Sequence, residues 1–367
     1  MKTKKIILST LFVIFFFIVS CNNDDEATPT PTPNPTPSVS NIIEVTENID
    51  APTTWLDGKI YIIKKNDFYV NNTLTIEPGV IVKFHPSGAF MTLGGTGTIN
   101  ADGTDAKHII FTSYKDDEHG GDNNGDGTAT SPARKDWGRI GTNGLNSSLF
   151  NYCEFLYGGS GSNSNTLEIY SSTATVTNCT FAHNDGSDGS MNFGALDASN
   201  AEAGTVIQNN IFYDNIRPLS ISTLFSLDDS NIFHNPSNTS QANTYNGIYV
   251  ESINHIDSEI SWSETEVAYI IDDNDLWINS TFHLTLADNV TLKFTPSSVI
   301  VCADGSSNIQ NYNGTNVYFT SYKDDAKKGD TNGDNSSTNP ANSDWGGIYD
   351  DNGSVYFTWS NIIYDSY

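Results

Sequence analysis

The chain has 367 residues, 17 Lys+Arg against 44 Asp+Glu, and a formal charge of −27 at pH 7. An anion excess of this size argues against nucleic acid or anionic membrane as a partner, because either would repel it. Gly 29, Tyr 17 and Phe 19, with only 17% charged residues, point away from helices. They suit short strands and turns in one large all-β domain or two smaller ones.

At the N-terminus, Lys2, Lys4 and Lys5 precede an apolar run from Ile6 to Val19. That is the pattern of a secretory signal, short for a bilayer-spanning helix. The segment Ile18-Val19-Ser20-Cys21 resembles a bacterial lipobox, with a branched residue, a small residue and then the modified cysteine. The resemblance implies that residues 1–20 are a lipoprotein signal peptide and that Cys21 is lipidated; the plain alternative is a signal peptide cut elsewhere. Asn22-Asn23-Asp24-Asp25-Glu26 resembles the surface-export signal of Bacteroidetes-type lipoproteins, which implies the outer face of the outer membrane. A solvated acidic tether on a periplasmic protein would read the same way. Acyl chains hold such a protein through their buried CH₂ groups. Thr28 to Pro37 reads TPTPTPNPTP, which cannot join a sheet and favours an extended stalk of roughly 30 Å. Residues 21–40 are therefore the lipidated Cys, acidic cluster and Pro/Thr stalk, and folding begins near Asn41.

Beyond the stalk the chain repeats itself. Phe111-Thr-Ser-Tyr-Lys-Asp-Asp117 recurs letter for letter at Phe319–Asp325, and Asp136-Trp137-Gly138 recurs at Asp344-Trp345-Gly346, both at an offset of 208. Leu74–Phe84 aligns with Leu284–Phe294 at an offset of 210, and Thr54-Trp55 echoes Ser261-Trp262. A long unit thus spans residues 41–250, and a second, truncated copy spans 251–367. A finer repeat lies between them. Cys153, Cys179, Asn210 and Asn231 share one column, while Phe155, Phe181, Phe212 and Phe233 share another, at steps of 26, 31 and 21. Short apolar strands at such steps, with Asn at the bends, indicate a solenoid that stacks Phe on Phe at about 4.8 Å. Asn at a bend suits left-handed geometry and hydrogen bonds along the stack. The same columns predict Asn361 under Asn and Ile363 under Phe.

The runs Leu74–Phe84, Gly103-Thr104 with Ile109–Ser113, and Asp136-Trp137-Gly138 resemble the right-handed parallel β-helix modules of bacterial secreted and surface proteins, many from Bacteroidetes. The resemblance covers roughly residues 55 to 367 and implies an all-β solenoid with long loop insertions. It says little about function, because this scaffold carries lyases, hydrolases, adhesins and binding modules. A two-sheet sandwich is the alternative that short strands and regular turns also allow.

The clearest chemical motif lies in the insertions. Asp122, Asn124 and Asp126 stand at positions 1, 3 and 5 of an Asp-x-Asn-x-Asp-Gly loop, and Asp330, Asn332 and Asp334 repeat it with Asn335 in sixth place. Oxygen side chains at that spacing converge on one hard cation, and Gly or Asn at position 6 permits the turn. Ca²⁺ is expected over Zn²⁺, since His119 is the only nearby nitrogen or sulfur ligand. Ala133 and Ala341 replace the Glu of an EF-hand, so Asp116, Asp117 or Asp136 and their counterparts are the residues left to complete a structural site. A solvated Asx-Gly loop is the competing reading.

Cys153, Cys179 and Cys302 remain beside Cys21; the first two suit either a disulfide between coils or stacked buried thiols. Residues 140 to 292 hold no Lys and only Arg217, which disfavours the basic residues of β-helix lyases. Asp228-Asp229 should point to opposite faces, whereas His183 and Asp214 fall in one column, a possible general-base arrangement or a pair of turn residues. Trp137 and Trp345 should pack the scaffold, and Trp55, Trp262 or Trp277 could stack on sugar. No catalytic set is assigned. The sequence leads to a surface lipoprotein that binds an extracellular ligand, glycan first and adhesion next, with a polysaccharide lyase or glycoside hydrolase as the alternative.

Overall fold

A computed structural model describes residues 41–85, 90–143, 146–161, 165–186, 193–251, 255–272, 275–352 and 354–367. The expected signal peptide, Cys21 and the expected stalk lie outside the described residues. Among those described, regular structure is almost entirely strand, with one 3₁₀ turn at Gly305–Asn308.

Successive strands visit three faces in turn. Thr53–Trp55 enters a six-stranded sheet, Ile60–Ile63 a seven-stranded sheet and Asp67–Val70 a ten-stranded sheet. Thr73–Ile76 then returns above Thr53–Trp55, pairing in parallel as Thr53↔Leu74 and Trp55↔Ile76. Ile60–Ile63 and Asp67–Val70 likewise pair in parallel with strands one coil later. In the three long sheets each strand hydrogen-bonds to the next coil and not to its neighbour in sequence, so the molecule is a parallel β-helix and the sandwich is excluded. Alternation decides which side chains go inward: Leu74 and Ile76 are buried, while Thr73 is exposed and Thr75 half-buried.

The expected aromatic column is present. Phe155–Phe181, Phe181–Phe212 and Phe212–Phe233 stack at 4.7, 5.1 and 5.3 Å between ring centroids. Phe111 extends the column downward at 5.1 Å from Phe155. A single coil leaves such a ring half in water; a neighbour above and below closes it off.

Asparagine does two jobs at the corners, at adjacent positions. Asn178 and Asn209 take the left-handed bend, with φ of 55° and 57°, where an Asx side chain lowers the cost of positive φ. Asn210, one residue on, donates from Nδ2 to the Val176 carbonyl at 2.9 Å and to Asn231 Oδ1 at 3.1 Å. A second amide ladder, absent from the sequence reading, runs along the next corner. There Asn184 donates to Asn215 Oδ1 at 3.0 Å, and Asn215 donates to Asn243 Oδ1 at 2.9 Å. All three of these asparagines are buried, so the ladder satisfies carbonyls that no water reaches.

The two long copies fold alike strand for strand but occupy different faces. Ile60–Ile63, Ile81–Phe84 and Ile109–Ser113 lie in the seven-stranded sheet, whereas their counterparts Ala268–Ile271, Thr291–Phe294 and Tyr318–Ser321 lie in the ten-stranded sheet. Asp67–Val70 and Phe90–Leu93, in the ten-stranded sheet, correspond to Leu276–Ile278 and Val299–Cys302 in a four-stranded sheet. These two sets of strands therefore change sheet between the copies. Between the copies, the antiparallel hairpin His234–Asn235 with Asn238–Ala242 interrupts the coils, and the ten-stranded sheet continues through Gly247–Glu251.

Both column assignments made for the last coil, Asn361 and Ile363, shift by one residue. Phe319 pairs with Ile362, which is buried, and not with Ile363, which is half-buried. Trp137 Nε1 donates to the Leu156 carbonyl, while Trp345 Nε1 donates to the Ile363 carbonyl. The second copy has thus lost one residue between its tryptophan and its last strand.

Candidate metal centre

Both acidic loops grow from the same foundation. The Phe-Thr-Ser strand supplies a hydroxyl pair: Thr112 donates to Asp116 at 2.6 Å and Ser113 to Asp136 at 2.7 Å. In the second copy Thr320 donates to Asp324 and Ser321 to Asp344, each at 2.7 Å. Lys115 and Lys323 add ion pairs to Asp136 and Asp344 at 2.6 and 2.8 Å. The adjoining Trp137 and Trp345 are buried against Phe84 and Phe294, both at 4.1 Å. This explains the verbatim recurrence of Phe-Thr-Ser-Tyr-Lys-Asp-Asp and Asp-Trp-Gly: one segment opens the loop, the other closes it, and their side chains bind each other.

A buried lysine holds each loop from below. Lys83 Nζ donates to the carbonyls of Asp116 at 2.6 Å and Gly121 at 2.9 Å. Lys293 Nζ donates to the Gly329 carbonyl at 2.7 Å and Thr331 Oγ1 at 3.0 Å. Burial drives both ammonium pKa values down, that of Lys293 to about 8, while the acidic residues above oppose the fall.

The Asp-x-Asn-x-Asp segment closes on itself. Asp122 Oδ1 accepts from Gly125 N at 2.6 Å and Oδ2 from Gly127 N at 2.9 Å. Asp330 accepts from Gly333 N at 2.7 Å and Asn335 N at 2.8 Å. Position 6 is left-handed in both loops, with φ of 72° at Gly127 and 54° at Asn335, as the turn requires. Hydrogen bonds from the Gly127, Gly125 and Asp126 amides hold the Asp122 carboxyl below its ordinary range.

These turns bring carboxylates together. One oxygen each from Asp117, Asp122 and Asp126 lies within 4.8 Å of the others, and Asp325, Asp330 and Asp334 repeat the cluster. Of the three residues proposed to complete the site, Asp116 and Asp136 are committed to hydroxyl, lysine and backbone partners, and Asp117 joins the triad. Asp117 Oδ1, Asp126 Oδ1 and Asp325 Oδ1 are buried without a hydrogen-bond donor. Asn124 and Asn332 turn Nδ2 toward Asp126 and Asp334, both at 3.0 Å. Reversing either amide would present its oxygen instead. His119 Nδ1 is held by Asp116 at 2.7 Å. The grouped donors are hard oxygens, the set that fits Ca²⁺.

Elsewhere, His183 Nδ1 and Asp214 Oδ2 are 2.6 Å apart, so the column shared in sequence is a contact in space. Arg134, carried over by the first acidic loop, bonds the same Asp214 carboxylate, and Lys135 pairs with Asp185 at 3.3 Å. The central coils therefore receive cations that their own sequence lacks, a long-range delivery that local spacing does not encode. Asp228 and Asp229 do diverge, toward Gln208 and Thr265 respectively. Trp55 and Trp262 are buried and stack on Tyr61 and Tyr269, so neither offers a sugar platform. Trp277 is half-buried and stacks on His255 at 5.3 Å. Cys153, Cys179 and Cys302 are buried free thiols. Comparison with protein-family models, curated proteins and solved structures found no match.

Proposed function

We propose that the chain is a Bacteroidetes-type outer-membrane lipoprotein, acylated at Cys21, whose β-helix binds an extracellular ligand, a glycan first, without transforming it. In this reading Ca²⁺ stiffens the two insertions, held by Asp117, Asp122 and Asp126 and by Asp325, Asp330 and Asp334. The observation behind it is the pair of matched carboxylate triads with oxygens that no donor satisfies. Carboxylates so close repel one another until a cation enters, and a cation bound only by the folded state adds stability in proportion to the logarithm of its concentration. Calcium titration of the chelator-treated chain should give two sites, and a saturating excess should raise the melting temperature by several degrees. Asp122→Asn with Asp330→Asn should abolish that rise. An unchanged melting curve with EGTA removes the metal from the proposal.

The contact between His183 and Asp214 favours a second reading, a polysaccharide-degrading enzyme. An imidazole oriented by a carboxylate serves as a general base, and Tyr157 stacks on His183 at 5.3 Å. A panel of acidic and neutral polysaccharides, followed by unsaturated-uronate absorbance and by reducing ends, separates the two. Turnover that His183→Ala abolishes would replace binding with catalysis.

A further inference from the structure

A groove of about 480 Å³ runs between the second acidic loop and the return of the hairpin, lined by Ala242–Thr244 and Asn246 on one wall and Lys328–Asp330, Gly333 and Asn335 on the other. That volume is in the range of small-molecule sites. The loop wall is fixed to the body at several points. Lys328 Nζ donates to the Thr265 carbonyl, and Tyr249 Oη donates to the Thr331 carbonyl at 3.1 Å. Gly333, at φ 68°, lies so close to the Tyr245 ring that an added Cβ would sit 2.7 Å from it. The opposite wall is the end of the buried amide ladder, where Asn243 Nδ2 donates to Asn246 Oδ1 at 2.8 Å.

The groove presents polar groups to solvent, Thr244 and Asn335 being exposed and Asn246 half-buried. Among the described residues, the Thr244 hydroxyl, the Asn246 Nδ2 group and the Asn335 side-chain amide make no hydrogen bond within the chain, while Asn243 and Asp330 are satisfied by their own walls. The lining is hydroxyl, amide and carboxylate, and its ammonium, Lys328, is committed to Thr265. Groups that both donate and accept suit such a wall, and a chain charge of −27 disfavours an anion.

We infer that this groove is the binding site for a neutral saccharide, whose adjacent hydroxyls pair with Thr244, Asn246 and Asn335. The inference rests on the glycan-binding reading above and gives it a location. The test uses the full chain on immobilised neutral gluco-, manno- and galacto-oligosaccharides, with uronic-acid oligomers alongside. Thr244→Val removes the hydroxyl at constant shape, and Asn335→Gly removes the amide while keeping the left-handed backbone. Each should weaken binding to neutral sugar about three- to tenfold, with circular dichroism and melting temperature unchanged. If the native chain binds and the double variant binds equally well, the groove is wrong while glycan binding stands. If the native chain retains no sugar, both fall. Tighter retention of uronic-acid oligomers would overturn the neutral assignment.

Discussion

Glu264 illustrates what a single buried side chain contributes. It is 1% exposed, its Oε1 accepts from Glu266 N at 2.8 Å, and its Oε2 has no donor. Burial first, then the charges of Asp229 and Glu266, lift its pKa to about 8, against the pull of the Glu266 amide. The folded chain therefore keeps a proton that the unfolded chain releases near 4.5. Stability falls as pH rises from that value toward 8 and is level beyond it, a loss of a few kcal/mol at about 1.4 kcal/mol per unit. Glu264→Gln keeps the acceptor for Glu266 and carries no charge. It should melt several degrees above the native chain at pH 9 and within a degree or two of it at pH 5; equal melting at pH 9 would show Glu264 ionised without cost. Nothing in the sequence around Ser263-Glu264-Thr265 marks this residue, because Asp229, whose charge acts on it, lies a coil earlier in the chain. Asp122, Asp126, Asp330 and Asp334 were legible because their partners are local. Asp117 and Asp325 were legible only as one choice among three, until the strand hydroxyls claimed Asp116 and Asp324.

Among elements, the ladders set the strength of the solenoid. Asn215 donates to the Phe181 carbonyl at 2.8 Å and accepts from Asn184 N at 3.1 Å, in addition to its links along the ladder. Asn215→Leu would strand a carbonyl and an amide in the interior, each costing about 1–3 kcal/mol. Urea denaturation should report a loss of about 3–5 kcal/mol. Asn209→Ala, at an exposed left-handed bend, should lose only about 1 kcal/mol. If the two variants unfold at the same urea concentration, the buried amides add nothing beyond the bend. The Phe column was visible in sequence because Phe155, Phe181 and Phe212 each follow the Cys/Asn column by two residues. The second ladder carries its own signal, Asn three residues after Phe181 and Phe212, but Gly158 holds that place after Phe155. The hairpin then displaces Asn243 to ten residues beyond Phe233, which breaks the spacing. Trp55 and Trp262 mislead for a related reason: tryptophan suits a sugar face and a solenoid interior equally, and only the strands pairing beside it decide.

At the scale of the molecule, duplication was plain from the repeated segments, but phase was not. A repeat in sequence fixes which residues share a local environment; the number of strands between the copies fixes which face each reaches. Here the strands of the seven-stranded sheet in the first copy have their counterparts in the ten-stranded sheet. The first acidic loop leaves the seven-stranded sheet and the second leaves the ten-stranded sheet. Two insertions of common ancestry therefore look out in different directions. A rigid polymer seated in the groove beside the second loop does not reach the first, so no avidity arises between the pair. Dissociation from an immobilised neutral glycan should then follow one single-site rate at every ligand density.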